Sequence, residues 1–407
     1  MLRLLLQRPR FRRLWLAGAL SLVGDWLTFV AISLLALDRG GGPFALVVML
    51  AVHSLPQAML MPVAGVVADR YDRRAILVTA AIAQGVLTVA MAVAALRGAL
   101  LIVQALVLLR SAATAFVPPA ETAVLRHTVE RDELVAANAL VASTWSLTFV
   151  VGMALGGALA ILGPALAIAL DALTFALAAI LLRGLPALPP EPDRERRHAN
   201  LVRALPGELA AAFARARANP ALFRAVFAKA PVGIAGGAGW VAMNVIADRS
   251  VVFGTGAVAL GVIQAVRGTG TALGPAAAAR MPAHRAPVAP LVAAMTAFAA
   301  IALFPMAEGS ALGMLAVALC WGMGTGANWV LSSAAIQRLS PDSHIGRLAS
   351  LDELSSAVSV ILGAAISAAV LEHAGAVAAA GSGALAGALA WMWLAARGSS
   401  TLAIVTE

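Results

Sequence analysis

One pattern dominates this chain: about twenty mostly apolar residues, then a short polar segment, repeated along its length. Such runs occupy residues 12–37, 43–68, 75–96, 98–118, 138–162, 164–183, 221–247, 257–279, 288–306, 311–336, 352–371 and 376–397. An α-helix rises about 1.5 Å per residue, so about 20 residues cross the roughly 30 Å hydrocarbon core of a bilayer. Twelve runs predict an all-α integral membrane protein with twelve transmembrane helices, the longer of them tilted or continuing past the membrane surface. Composition agrees, with 12% charged residues against about 25% in a soluble domain. No two-residue alternation recurs at about ten-residue spacing, which argues against a membrane barrel.

The net charge of +9 would suggest a nucleic-acid partner in a soluble chain. Here the arginines lie between apolar runs, where the positive-inside rule accounts for them, and no nucleic acid is expected. With the N-terminus inside, the cytoplasmic segments carry 23 of the 29 basic residues, and the outer loops hold only Arg39, Arg97 and Arg249. Both termini are therefore expected in the cytoplasm. The basic start "MLRLLLQRPRFRRLW" has too short an apolar piece for a signal peptide and reads as a cytoplasmic tail. The single cysteine, Cys320, lies inside an apolar run and reads as a buried, inert thiol.

The longest polar stretch, 184–220, is proline-rich, then charged, then patterned as a short amphipathic helix near 206–218. It divides the chain into an N-terminal six-helix bundle (1–185), a cytoplasmic linker (186–220) and a C-terminal six-helix bundle (221–407). The halves are faintly alike: "VERDELVAANALVAS" (129–143) precedes the fifth run and "SPDSHIGRLASLDELSS" (340–356) the eleventh. Internal repeats of this kind mark many secondary transporters.

Between the second and third runs, on the predicted inner side, stands "GVVADRYDRR" (65–74). Gly65 would let one helix end approach a neighbour closely. Asp69, beside a helix N-terminus and Arg70, Arg73 and Arg74, would fasten the two halves as an inner gate. The plainer reading is an arginine anchor on the anionic leaflet. The stretch resembles the loop signature of the major facilitator superfamily, G-x-x-x-D-R-x-G-R-R, with Asp72 in the glycine position.

More of the chain is similar to the branch of that superfamily containing macrolide efflux proteins and the enterobactin exporter. "FRRLWLAGALSLVGDWLTFVAISLLAL" resembles its first span, including Gly24, Asp25 and Trp26. "PPAETAVLRHTVERDELVAANAL" resembles its P-A-R-x-A-L-x-P stretch, but with Glu121 for the usual arginine and Arg126 for the usual proline. "LGPALAIALDALTFALAA" and "AVRGTGTALGP" resemble its sixth and eighth spans. "GMALGG" (152–157) matches the antiporter pattern G-P-x-x-G-G at Gly152, Gly156 and Gly157, with Met153 for proline. That resemblance implies export; the alternative is ordinary small-residue helix packing.

A charge at mid-bilayer costs roughly 2.5–3.5 kcal/mol on insertion scales and needs a reason. Asp25, Arg110, Asp171, Lys229 and Arg267 all fall inside apolar runs. Asp25 lies near mid-depth of its run, a candidate to bind and release protons, or else to pair permanently with a base such as Arg110. Asp171 is a second candidate with the structural role favoured. Arg110 corresponds, by resemblance, to the basic residue of a fourth-span antiporter pattern, without its glycines. Lys229 and Arg267 would either attract an anionic substrate or stay paired with acids. Trp321, Asn244, Gln264 and Asn328 are further cavity candidates. Trp240 and Trp329 read as interfacial anchors, and His53 as a packed polar residue.

No G-x-x-x-x-G-K-[ST], G-x-S-x-G or H-E-x-x-H run and no His/Cys cluster occurs, so neither a metal, a cofactor nor an enzyme activity is expected. The sequence thus predicts a monomeric secondary transporter of a bacterial inner membrane. It would export an organic small molecule (a drug, macrolide or siderophore-like compound) in exchange for protons by alternating access. The alternatives are an uptake or facilitated-diffusion system, and a non-transporting scaffold, which would have no use for mid-membrane charge.

Overall fold

A computed structural model describes residues 2–37, 42–130, 133–189, 201–250, 252–280, 288–340 and 345–396. Among these, every extended regular element is helical: α1 Leu2–Gln7, α2 Pro9–Ala36, α3 Gly42–Arg70, α4 Arg73–Leu96, α5 Leu100–Thr114, α6 Val117–Leu125, α7 Leu134–Ala160 and α8 Pro164–Arg183. There follow α9 Leu201–Ala218, α10 Pro220–Phe227, α11 Lys229–Arg249, α12 Gly256–Ala279, α13 Ala289–Leu303, α14 Ala311–Leu339 and α15 Ile345–Ala396. Ten helical segments are long and apolar enough to cross a membrane. The last spans 52 residues and is broken at Gly375, whose φ of 78° no L side chain adopts comfortably. Dividing it there, and counting the more polar α12 with its 24 residues, brings the number to twelve.

Helix starts follow local chemistry. Pro9, Pro164 and Pro220 occupy first-turn positions, where a missing N–H costs nothing. Asp72, Asn219, Thr255 and Ser310 cap α4, α10, α12 and α14 with side-chain oxygens that accept from the first-turn amides. The amphipathic helix expected at 206–218 begins earlier, at Leu201.

The described chain divides into two compact units, residues 1–39 with 52–205, and 40–51 with 206–407. In the first, α2 packs against α7 and α8, and α4 against α8. α4 buries Leu77, Ala81, Gln84, Thr88, Met91 and Ala95, a stripe at three- and four-residue spacing. Its other face exposes Val86 and Leu96, 65% and 75% accessible. α5 goes further, burying Gln104, Arg110 and Ser111 while Leu101 is 80% exposed. Polar side chains inward and apolar ones outward suit a lipid solvent, not water.

In the second unit α11 packs against α15, and α12 against α14. Glycines set the second contact. A Cβ on Gly270 or Gly274 would strike the backbone of Leu319 or Met323, and one on Gly322 or Gly326 would strike that of Arg267 or Thr271. Two small-x-x-x-small pairs thus face each other, so the backbones approach as in membrane helix dimers. Cys320 corrects one expectation. It is exposed on α14, because the buried side of that helix runs through Ala318, Trp321 and Gly322.

Candidate functional site

Three charged side chains from distant parts of the first unit converge. Arg110 of α5 reaches Asp25 of α2 at 2.9 Å and Asp171 of α8 at 2.6 Å. Gly24 makes the convergence possible, because a Cβ there would overlap the Asp171 carboxylate and the Thr174 hydroxyl. Asp171, 0% exposed, also accepts from the Thr28 hydroxyl at 2.6 Å. The Thr174 hydroxyl lies 3.3 Å from its other oxygen. The Arg110 guanidinium lies over the Phe175 ring, 5.6 Å from its centroid, and faces the Thr88 hydroxyl at 3.4 Å. One cation shared by two carboxylates leaves a net charge of −1 when both acids are ionised. The pairing between Asp25 and Arg110 posed as an alternative from sequence is present in the structure.

The three are not equivalent. Arg110 is 4% exposed and Asp171 fully buried, but Asp25 is 24% exposed. Asp25 lies on the wall of a cavity of about 290 Å³ within the first unit. The wall also carries Glu121, Gln57, Gln84, Trp15, Trp145 and Phe175, and among its lining residues there is no Lys, Arg or His. Trp15 is fixed by donating its indole N–H to the Thr144 hydroxyl at 2.7 Å. The Thr114 hydroxyl donates to the Gln84 amide oxygen at 2.9 Å. Trp145 stacks on Phe149 and meets Trp26 edge-on. His53 packs edge-on against Phe29, 5.3 Å between centroids.

The loop after α3 is tied to the end of α8 and the segment that follows it. Among the described residues, a Cβ on Gly65 would meet no heavy atom within 4 Å. The Asp69 side chain lies outside the described residues. Arg70 ends α3. Arg73 donates to the Pro189 carbonyl at 3.0 Å and Arg74 to the Arg183 carbonyl at 2.6 Å. Asp72 caps α4 through the Arg74 amide at 2.9 Å and also accepts from the Leu188 amide at 3.0 Å. Arg13 completes the cluster on the Gly184 carbonyl. Cations on the last carbonyls of α8 complement its negative end. Asp72, read only as a departure from a pattern, was legible as an N-cap immediately before an apolar run.

The glycines of α7 act in packing. A Cβ on Gly152 would press on Trp26 and Val23, and one on Gly156 on Val30 and Leu27, all of α2. Gly157 is buried.

None of the six candidates from the second half lines the described cavity. Lys229 is 3% exposed, pairs with Asp352 of α15 at 2.5 Å and sits 4.2 Å from the Trp329 ring centroid. Asp352 had no sequence signal beyond its place in a polar lead-in. Arg267 donates to Gln264 at 2.7 Å and lies over Trp321, 5.2 Å from its centroid. Trp321 is 2% exposed and packs edge-on against Phe304. Asn244 donates to the Trp240 carbonyl at 2.8 Å, and Asn328 is buried. Trp240, expected at the membrane interface, is buried as well.

A family profile described as Major Facilitator Superfamily matches residues 14–364. No curated protein matches the sequence. Solved structures similar to the chain include a nucleoside transporter, with TM-score 0.77 and 14% identity over 96% of this chain and 100% of that one. A POT family transporter in complex with a thioalcohol-conjugated peptide gives TM-score 0.74 and 12% identity over 97% and 96%. The human organic anion transporter MFSD10 (TETRAN) gives TM-score 0.67 and 16% identity over 94% and 99%. At such identities the likeness is one of fold.

Proposed function

Because the chain belongs to the major facilitator superfamily and is a multi-pass membrane transporter rather than an enzyme, we propose that it exports an organic small molecule in exchange for protons. It works by alternating access as a monomer in a bacterial inner membrane, with both termini cytoplasmic and the 186–220 linker joining its two bundles. The observation that carries this reading is the unequal triad in the first unit. Asp171 is sealed and held by Arg110 and Thr28, so it anchors the guanidinium. Asp25 shares the same guanidinium from the cavity wall, where a proton and a substrate can reach it. A proton on Asp25 removes one of the two charges that hold Arg110 and loosens α2 from α5. Proton occupancy is thereby tied to helix position, as an exchanger requires.

The similar solved structures include transporters named for peptides, a nucleoside and organic anions. They support a small organic substrate and leave its class to this chain's own cavity. On this reading Arg70, Arg73 and Arg74 stabilise the inner end of the first bundle, with Asp69 as their partner in a gate.

The test is a susceptibility panel of macrolides, dyes and siderophore-like compounds in pump-deficient bacteria, comparing empty vector, wild type and Asp25→Asn at matched membrane levels. Wild type is expected to protect against at least one compound and the variant to lose that protection. Equal protection by both would remove Asp25 from the coupling step. Greater accumulation of a compound in cells carrying the wild type would replace export by uptake.

A further inference from the structure

Glu121 is the acid that the triad does not use. It lies on α6, on the wall of the same cavity as Asp25. Among the described residues it forms no ion pair and no hydrogen bond, whereas Asp25 and Asp171 both have Arg110. A carboxylate on a largely apolar wall is costly unless a counter-charge meets it. The surroundings leave room for one from outside the protein. The residue facing it on α2 is Gly18, where even a Cβ would stand 3.2 Å from the carboxylate oxygen. No lining residue is a base, and with the triad at −1 the site as a whole is anionic. The walls add the aromatic rings of Trp15, Trp145 and Phe175, whose faces attract cations as well as apolar groups. Gly18 and Asp25 are seven residues apart on α2, about 10 Å at 1.5 Å per residue. The free carboxylate and the coupling carboxylate are therefore separate positions in one cavity.

We propose that Glu121 receives the positive group of the substrate, so that this site takes an amphipathic organic monocation and rejects anions. The inference rests on the reading above only in treating this cavity as the substrate's. A cation seated at Glu121 supplies the missing counter-charge, and its apolar body lies against the rings. A volume of about 290 Å³ suits a molecule of two or three rings.

The experiment measures binding of two probes to the purified full-length protein in lipid nanodiscs: methyltriphenylphosphonium, a permanent cation, and triphenylacetate, an anion of similar bulk. Quenching of tryptophan fluorescence, corrected with empty nanodiscs, reports occupancy beside Trp15 and Trp145. Wild type is expected to bind the cation and to discriminate against the anion by about tenfold or more. Glu121→Gln is expected to lose about tenfold or more of the cation affinity, and Glu121→Asp to retain most of it. Equal affinity for the two probes, preference for triphenylacetate, binding of neither, or an unchanged affinity in Glu121→Gln overturns the proposal. If Glu121→Gln fails to insert, the wild-type preference decides alone. The measurement uses no proton gradient. Cation binding through Glu121 without proton-driven export would overturn the export reading alone, and export with binding indifferent to Glu121 would overturn this one alone.

Discussion

Replacing Arg110 by methionine keeps most of the side chain's length and removes its charge. Two carboxylates then remain beside each other with no cation between them. Arg110 lies 2.9 Å from Asp25 and 2.6 Å from Asp171, and a charge separation of about 4 Å at an effective dielectric of about 20 makes each attraction worth roughly 4 kcal/mol before desolvation. Removing one partner of a buried pair typically leaves a net loss of about 3–5 kcal/mol. The structure also says which acid suffers more. Asp171 is 0% exposed and Asp25 24%, so only Asp25 can regain water. Adding Asp171→Asn to Arg110→Met should therefore recover more stability than adding Asp25→Asn, with a favourable coupling of about 2 kcal/mol between positions 110 and 171. The assay is an unfolding titration of wild type, Arg110→Met, Asp171→Asn and the two double variants in mixed micelles, checked by thermal midpoints, which shift about 2–4 °C per kcal/mol for a unit of this size. Additive losses, or a larger recovery from Asp25→Asn, would refute the triad's proposed division of labour.

Three further outcomes follow from other contacts. Gly322→Leu should prevent normal assembly of the second unit, because even a Cβ would overlap the Arg267 backbone; monodispersity on size exclusion checks it, and a well-behaved variant refutes close α12–α14 packing. Asp72→Gly restores the family pattern yet should cost a few tenths of a kcal/mol through loss of the α4 cap and about 0.5–1.5 kcal/mol more through loss of the Leu188 tie, with Asp72→Asn largely sparing stability; thermal midpoints decide. Lys229→Met alone should destabilise by about 3–5 kcal/mol by stranding buried Asp352, while Lys229→Met with Asp352→Asn should recover most of it; no recovery would mean that the lysine acts through the Trp329 ring instead.

The candidate site was legible in part. Asp25, Arg110 and Asp171 stood out because a charge inside an apolar run is conspicuous whatever its partner. That Arg110 serves both acids, that Asp171 is sealed and that Asp25 faces a cavity were not legible, since the three lie on helices far apart in sequence. Glu121 was visible only as a departure from a pattern, because nothing in "PPAETAVL" tells which way α6 turns. The counter-ion of Lys229 is Asp352, 123 positions away, too distant in sequence for either residue to announce the other. The facing glycines of α12 and α14 carry no packing signal in the sequence, since a small-x-x-x-small pair has meaning only when a second one faces it.

By itself, the sequence determined that this chain crosses a membrane many times as helices, where its main breaks fall and which residues are too costly to be idle. Those properties are local: a backbone in lipid must satisfy its own hydrogen bonds, and a run of apolar residues about a bilayer long can do so only as a helix. Only the tertiary structure decided which charge meets which, which glycine admits a neighbour and which acid is left facing a cavity. Each depends on the rotation and depth of a helix relative to others. That is set by many weak contacts between distant residues, such as the space Gly24 leaves for Asp171 and Gly18 for Glu121, and no stretch of sequence contains both sides of such a contact.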